Sequence, residues 1–313
     1  MCTAINENGI CHLFGRTLDV ECSHGERICI LQRGAQLEFL HEGKTETRHA
    51  IIGTAFIDDS TPLYFDAMNE CGLAVAALSF PVSAVYHSHR PDKHNIASYE
   101  LPLWVLTKCE TAHEAALLLR DSNVTGDARS EDLGTTPLHW LISDAHSSFS
   151  VESVKEGIKI YENPVGVLTN EPPFPYHLIR LCDYAGLSAK DAYGKMTELL
   201  SPPYSRGLGA FGLPGDFSSC SRFARAAFVK LNTCHEMTER TEVERFFRLL
   251  DCVSVPRGCV LDANGNSHYT VYSSCMSTKS GSYYYSTYNN RSIRCVSFYD
   301  HSLEGGELLS FEM

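Results

Sequence analysis

Hydrophobic positions between residues 11 and 78 fall in short runs that are separated by turns. Rich in Ile, Leu, Val and Phe, these runs predict five β-strands, at 11–14, 28–31, 50–56, 63–66 and 73–78. Several of them are too continuously apolar to have a face in water, so we expect a sheet that is covered on both faces. Such a sheet requires helices to pack on it.

The helices predicted after this region have visible start signals, in which a capping hydroxyl precedes a carboxylate by three residues. The three pairs are Thr111 with Glu114, Ser188 with Asp191, and Thr241 with Glu244. A further helix is predicted over residues 219–231. Its Phe223, Ala227 and Leu231 are spaced four residues apart and predict one apolar face.

The last part of the chain returns to a strand pattern, with three runs separated by turns that contain Gly, Ser and Asn. The runs at 268–273, 283–288 and 293–298 predict an antiparallel meander. Strands, then helices, then strands, without a regular βαβ alternation, indicate a layered α+β architecture and not a doubly wound parallel sheet. The sequence has no internal repeat and no linker-like stretch, so we predict a single domain over residues 1–313.

The charge balance excludes some classes of partner. The chain has 38 acidic and 26 basic residues and a formal net charge of -12, which disfavours binding to nucleic acid or to an anionic membrane surface. The longest weakly polar run, 71–86, is interrupted by polar residues and is shorter than the roughly 20 residues that span a bilayer. We therefore expect neither a nucleic-acid partner nor a membrane segment.

The thirteen cysteines form no CxxC pair, and their odd number leaves at least one thiol without a partner in the chain. The N-terminal segment lacks the basic stretch and apolar stretch of a secretory signal. Both observations predict a cytoplasmic protein with reduced thiols.

Cys2 is the first candidate for chemistry. Removal of Met1 would leave a thiol on the same residue as a free α-amine. Their ordinary pKa values, about 8 for the amine and about 8.5 for the thiol, allow the two groups to share a proton near neutral pH. One residue could then supply both a nucleophile and its base. Taken by position alone, Cys2 would be an ordinary second residue at a frayed terminus.

Arg16 and Asp19 strengthen the hypothesis, because a hairpin after the first strand would bring them back beside Cys2. A guanidinium near a thiol favours the thiolate, and a carboxylate can accept a hydrogen bond from the α-ammonium and orient it. Without further motifs, the two residues would be interpreted as an exposed ion pair at a turn.

Six segments give the sequence a more specific pattern. They are MCTAI at 1–5, FGRTLD at 14–19, YFDAMNE at 64–70, LTNEPPF at 168–174, SRGLGAFGLPGDFSSCSRFARAAF at 205–228 and YTVYSSCM at 269–276. In order and approximate spacing they resemble the choloylglycine hydrolase family of N-terminal nucleophile hydrolases, which includes bile salt hydrolases and penicillin V acylases. The resemblance extends from residue 2 to about residue 300.

The resemblance implies a four-layer αββα sandwich, with two antiparallel sheets flanked by helices. It implies that Cys2 is the nucleophile with its own amine as the base, and that Arg16 and Asp19 stabilise the thiolate and orient the amine. The Asn170 side chain matches a donor to the oxyanion, and Arg222 matches a second active-site arginine. Standing alone, this asparagine would be a turn residue and this arginine an exposed helix residue.

Ser79 departs from the family pattern, because bile salt hydrolases typically have asparagine at this position and penicillin acylases often have tyrosine. The second oxyanion donor implied here is a backbone N–H, which serine retains. Ser79 is therefore compatible with catalysis but does not separate the two substrate classes.

The first functional hypothesis is hydrolysis of glycine- or taurine-conjugated bile salts without a metal or cofactor. A penicillin V acylase is the alternative, and a non-catalytic bile-acid-binding protein is the second alternative. A steroid needs a wide apolar pocket, whose candidate walls are Val20, Phe56, Ile57, Phe65 and the 125–137 loop; each is otherwise a core or loop residue. The resemblance also suggests a homotetramer.

Overall fold

Two antiparallel sheets form the centre of the computed structural model, which describes residues 1–128, 134–191, 194, 198–199 and 205–313. In spatial order, the first sheet contains β14 (Val167–Leu168), β1 (Cys2–Asn8), β2 (His12–Val20), β16 (Ser267–Ser277), β17 (Ser282–Thr287) and β18 (Arg294–Ser297), with β15 (Val260–Leu261) paired to the start of β16. The second sheet contains, in spatial order, β13 (Gly157–Glu162), β12 (Ser148–Val154), β11 (Leu138–Ser143), β8 (Ala74–Ser79), β7 (Thr61–Asn69), β6 (Ile51–Asp58), β3 (Arg27–Leu31) and β19 (Leu308–Glu312).

Two small two-stranded sheets and five helices complete the described elements. The small sheets pair β4 (Gln36–Phe39) with β5 (Gly43–Glu46), and β9 (His94–Ala97) with β10 (Ser122–Thr125). The helices are α1 (Leu101–Lys108), α2 (Ala112–Arg120), α3 (Phe174–Leu181), α4 (Ser219–Asn232) and α5 (Glu239–Asp251). Three short 3-10 turns lie at Cys182–Tyr184, Leu208–Ala210 and Phe298–Asp300.

The layers are arranged as the resemblance implies. Helices α1 and α2 pack on the outer face of the second sheet, where Trp104 and Trp140 are fully buried. Helices α4 and α5 cover the outer face of the first sheet, and α3 packs against α4. The two sheets face one another across a core that contains Phe14 and Met68. The predicted four-layer αββα sandwich is confirmed.

The predicted strands are confirmed, and most of them extend further than their apolar runs. Strand β2 reaches Val20 because polar residues such as Thr17 and Asp19 are themselves buried beneath the helices. The C-terminal meander is confirmed as β16, β17 and β18, which pair in sequence order.

Two helix predictions were correct at their starts. The Thr111 hydroxyl accepts a hydrogen bond from the Glu114 backbone N–H at 3.2 Å, which caps α2. Helix α4 begins at Ser219, as predicted. The apolar face of α4 was only partly correct, because Phe223 and Ala227 are buried whereas Leu231 is 77% exposed in the last turn.

Two other start signals were misplaced. Helix α5 begins at Glu239, and its cap is Thr238, whose hydroxyl accepts from the Thr241 N–H at 3.3 Å. Thr241 is thus the third helical residue and not the cap, because a second threonine three residues earlier takes that role. Residues 188–191 are not helical, and the Asp191 carboxylate accepts from the Leu208 N–H at 2.6 Å. The helix predicted to follow falls largely on 192–193 and 195–197, outside the described residues.

None of the helices in the described residues is long and apolar enough to cross a membrane.

Gly15 lies where β2 passes close to β16. A Cβ atom on Gly15 would lie 2.0 Å from the Ser274 carbonyl oxygen. We expect Gly15→Ala to force the two strands apart and to lower the free energy of unfolding by about 3 kcal/mol, as overpacking does. Urea unfolding measures this change, with Gly186→Ala as the control because a Cβ there has no atom within 4 Å. Equal stability of the two variants would contradict the prediction.

His12 and His177 are buried, and burial lowers the pKa of each to about 4. In the unfolded chain both histidines take up a proton near pH 6.5. Below that pH the unfolded state therefore binds more protons than the folded state, so stability falls as the pH decreases from about 6.5 to about 4. We expect a loss of roughly 3 kcal/mol per histidine over this range.

Urea unfolding at pH 7, 6, 5 and 4.5 measures this dependence. A His12→Phe protein should show a shallower decrease, because one of the two titrating groups has been removed. A wild-type stability that is the same at pH 7 and pH 4.5 would contradict the assignment.

Candidate active site

Cys2 lies at the start of β1, in a hairpin with β2. The register pairs Cys2 with Leu18 and Ala4 with Arg16, and the Asp19 N–H donates to the Met1 carbonyl at 3.0 Å. The hairpin expected from the sequence therefore brings positions 16 and 19 back beside the N-terminus. Cys2 itself is buried, with 3% of its surface exposed.

Asn170 reaches the hairpin from the segment after β14. Its Oδ1 accepts from the Cys2 backbone nitrogen at 2.9 Å and from Arg222 Nη2 at 2.6 Å. Its Nδ2 donates to the Ser79 carbonyl at 2.8 Å. Because both contacts of Oδ1 are donors and the contact of Nδ2 is an acceptor, the orientation of the carboxamide is determined. Asn170, Ser79 and Arg222 thus meet at Cys2.

Arg222 lies in the first turn of α4 and is fully buried. Its Nη1 donates to the Cys2 carbonyl and, at 2.7 Å, to the Thr3 hydroxyl, and its Nε donates to the Phe217 carbonyl at 3.0 Å. Burial lowers its pKa from the ordinary arginine value. The side chain joins α4 to the backbone of Cys2 and to the Asn170 carboxamide.

Arg16 is also fully buried, on the side of β2 that faces the second sheet. Its Nη1 donates to the Phe65 carbonyl at 2.9 Å and to the Ala77 carbonyl at 2.6 Å. Its Nη2 has no hydrogen-bond partner among the described residues. Burial disfavours the charged form of Arg16 and by itself would lower its pKa. Nearby ionisable groups outweigh this effect and raise the pKa, and Cys2 contributes most among them. Arg16 is therefore a buried cation that interacts electrostatically with the Cys2 thiol and has one nitrogen, Nη2, without a hydrogen-bond acceptor among the described residues.

The Asp19 carboxylate is held by two threonines. It accepts from the Thr270 hydroxyl at 2.6 Å and from the Thr17 hydroxyl at 3.1 Å. Its backbone pairs with Met1, whereas the Cys2 N–H goes to Asn170. With Met1 attached, the nitrogen of Cys2 is thus oriented by the asparagine and not by the carboxylate.

Asp66 is a buried acid that the sequence analysis did not single out. Its carboxylate accepts from the Tyr272 hydroxyl, from the Tyr283 hydroxyl at 2.6 Å and from the Ser274 hydroxyl at 2.8 Å. Burial raises the pKa of Asp66, while the charge of Arg16 and the three hydroxyl donors oppose that rise. The cluster connects the two sheets behind Arg16. The motif YFDAMNE contains this residue, but its partners become apparent only when the sheets are stacked.

A cavity of about 360 Å³ adjoins the Arg16 side chain, because Phe65 and Ala77 both line it and accept from Arg16. Of the four residues predicted as substrate walls, Phe56 and Phe65 line this cavity. Val20 and Ile57 are not in its lining; Val20 packs against one hydrophobic core and Ile57 against the other.

Other apolar and aromatic side chains complete the lining of this cavity, among them Leu63, Tyr64, Tyr99, Pro102 and Leu138. Of the predicted 125–137 loop, Gly134 and Thr136 line the cavity, and 129–133 lie outside the described residues. A larger and more polar cavity, of about 680 Å³, lies at the other end of β1 beside Asn8. Cys2 is in the lining of neither cavity, but the smaller and more apolar one is next to Arg16 through Phe65 and Ala77, so it is the candidate binding site.

One group of side chains in the described residues has spacing suitable for a metal ion: His49, Cys71 and Glu110, within 4.8 Å of one another. It lies at the β7–β8 turn, at the opposite end of β8 from Ser79. His49 Nδ1 and Cys71 Sγ form a hydrogen bond at 3.3 Å, and burial raises the pKa of Cys71 to about 11. His49 Nε2 also lies 3.6 Å from Glu110 Oε1, so the histidine contacts both of the other side chains.

The whole chain matches a known family. The model of the linear amide C–N hydrolases of the choloylglycine hydrolase family matches residues 2–311. The chain belongs to the choloylglycine hydrolase family. A bile salt hydrolase/transferase from Lactiplantibacillus plantarum is 42% identical to this protein, over 100% of the chain and 97% of the relative.

Solved structures agree with this membership. The conjugated bile acid hydrolase from Clostridium perfringens superposes with a TM-score of 0.92 at 33% identity, over 100% of this chain and 97% of that one. A penicillin V acylase from Agrobacterium tumefaciens has a TM-score of 0.80 at 20% identity, over 99% of this chain and 91% of that one. The second likeness is one of fold alone.

Proposed function

We propose that this protein cleaves the amide bond of glycine- or taurine-conjugated bile salts through a thioester on Cys2. The observation that carries the proposal is the arrangement at the N-terminus, where Cys2 is hydrogen-bonded to Asn170 and lies close to two fully buried arginines. Relatives that are 42% and 35% identical to the chain are named a bile salt hydrolase/transferase and a conjugated bile acid hydrolase.

In the proposed mechanism, removal of Met1 turns the nitrogen of Cys2 into a free amine that remains beside Asn170 Oδ1. This amine takes the thiol proton, and the thiolate, favoured by the nearby Arg16 cation, attacks the amide carbonyl carbon. The resulting ammonium gives its proton to the leaving glycine or taurine nitrogen as the C–N bond breaks. Water then cleaves the thioester, with the same amine as the base, and releases the free bile acid.

The oxyanion of the tetrahedral intermediate requires donors. Asn170 Nδ2 has two hydrogens and uses one of them for the Ser79 carbonyl, which leaves the second for the oxyanion. The Ser79 backbone N–H is proposed as the other donor. Arg222 supports both proposed functions of Asn170, which are to orient the Cys2 amine and to donate to the oxyanion. Its hydrogen bond to Oδ1 fixes the orientation of the carboxamide and so directs Nδ2 at the oxyanion.

The apolar cavity beside Arg16 is the proposed site for the steroid. Its aromatic and aliphatic lining suits a rigid apolar acyl group. A thioester can also be attacked by an amine in place of water. We therefore propose amino-acid transfer onto bile acids as a side activity, in line with the hydrolase/transferase name of the relative from L. plantarum.

We further propose a cytoplasmic location and a homotetrameric assembly. All thirteen cysteines are free in the structure, which supports a reducing compartment. Light scattering on the purified protein tests the tetramer.

Incubation of the purified protein with taurocholate and glycocholate, followed by mass spectrometry, tests the reaction. Intact mass establishes first that Met1 has been removed. Release of taurine or glycine together with cholate is the expected result. Phenoxymethylpenicillin serves as the comparison substrate: its cleavage without cleavage of either bile salt would favour a penicillin acylase. No release from any conjugate by the processed protein would favour a non-catalytic binding protein.

A further inference from the structure

Two buried histidines hold the backbone beside the Asn170 carboxamide. His139 Nε2 lies 3.0 Å from the Thr169 carbonyl oxygen, and His177 Nε2 lies 3.0 Å from the Asn170 carbonyl oxygen. A carbonyl oxygen only accepts hydrogen bonds, so each Nε2 must carry a hydrogen. Two consecutive carbonyls of the active-site segment thus each receive an imidazole donor.

His139 is fully buried, and its ring orientation is set on two sides. The ring stacks on Phe80 with centroids 4.3 Å apart and planes at 5°. Its Nδ1 lies 3.5 Å from Glu152 Oε1, and the same oxygen accepts from the Phe174 N–H at 2.8 Å, at the start of α3. The imidazole therefore has little freedom to turn its donor away from the Thr169 carbonyl.

His177 is held by the packing of α3 against α4. Its ring stacks on Phe223 with centroids 4.7 Å apart and planes at 21°. Burial lowers its pKa to about 4, so the ring is neutral at neutral pH and offers one N–H donor. That donor is directed at the Asn170 carbonyl.

The amide nitrogen of Asn170 is also fixed. It donates to the Ser219 hydroxyl at 2.8 Å, and the same hydroxyl lies 2.8 Å from the Thr169 hydroxyl. Both backbone polar groups of Asn170 therefore have a side-chain partner that comes from another element.

We propose that His139 and His177 are positioning residues, whose hydrogen bonds to the Thr169 and Asn170 carbonyls place the Asn170 carboxamide for catalysis at Cys2. The inference rests on the proposed function. Catalysis is sensitive to such placement, because a shift of about 1 Å in a reacting geometry can reduce the rate about 100-fold.

His177→Phe and His139→Phe test the proposal, since phenylalanine keeps the stacking and removes the donor. We expect kcat for taurocholate to fall about 10- to 100-fold for each variant, with little change in KM. Alkylation of Cys2 by iodoacetamide should slow much less than kcat, because alkylation requires the thiolate but develops no oxyanion. A His177→Gln protein, whose side-chain amide can replace the Nε2 donor, should recover much of the lost kcat.

A double-mutant cycle separates positioning from a general structural role. In an Asn170→Ala background, His177→Phe should have little further effect on kcat, because the residue that it positions is absent. His12→Phe is the matched control: it removes a buried histidine that contacts Ser143 and Thr278 and not the active site, and its kcat should be that of the wild type.

Wild-type kcat in the two folded phenylalanine variants would overturn the inference, as would a reduction that is additive with Asn170→Ala. If His177→Phe does not fold, His177→Leu takes its place under the same criteria. These outcomes are distinct from failure of the proposed function, which would appear as a wild-type protein that releases no taurine.

Discussion

Cys2→Ala should abolish the release of taurine from taurocholate while the protein remains folded. The proposed thioester forms on the Cys2 sulfur, which this variant lacks, so we expect a loss of about 10⁴-fold or more in kcat, as for other enzymes that lose a nucleophile. Stability should change little, because the Cys2 backbone provides the hydrogen bonds with Asn170 and Arg222. Turnover by mass spectrometry and thermal unfolding are measured on the same preparation.

Cys11→Ala is the matched control for this loss. Cys11 is also a buried thiol of the hairpin, located after β1 at the end opposite Cys2. Its removal creates a similar small cavity and should leave kcat unchanged. Full activity of either Cys2→Ala or Cys2→Ser would refute the proposed nucleophile.

Asn170→Asp should separate the two functions of the carboxamide. The variant keeps an oxygen that can accept from the Cys2 nitrogen and from Arg222, but it loses the Nδ2 donor. Loss of one oxyanion donor reduces rates about 10²- to 10³-fold in other enzymes. We expect at least that reduction in kcat, because the new negative charge also opposes the oxyanion.

Asn69→Asp provides the control for the chemical change itself. Asn69 is buried at the β7–β8 turn, and its Nδ2 donates to the carbonyls of Leu106 and Cys109. This control should lose stability without a specific loss of kcat. If Asn170→Asp retained kcat within a factor of a few, the side chain would not be an oxyanion donor.

The elements that carry the proposed site residues were partly predictable from local sequence. The β1–β2 hairpin was predictable because adjacent strands joined by a short turn pair with one another, which places Arg16 and Asp19 next to Cys2. Helix α4 was predictable from its spacing, and its Arg222 was proposed by resemblance. The start of α5 was missed because Thr241 has a carboxylate three residues later, at Glu244, whereas the true cap, Thr238, has Thr241 at that position.

The sequence by itself determined the strands at the two ends of the chain, the hairpin at the N-terminus and the family to which the chain belongs, but it did not show strands β11–β13 between α2 and α3. Each of these depends on local periodicity, on neighbouring strands or on motifs in a known order. The contacts between side chains of the candidate site were decided by the stacking of the two sheets and the packing of α3 against α4. Asn170 Oδ1 meets the Cys2 nitrogen across 168 positions of sequence, and His139 meets Thr169 across 30. Side chains so far apart in the chain leave no periodic signal, because tertiary packing alone brings their polar atoms together.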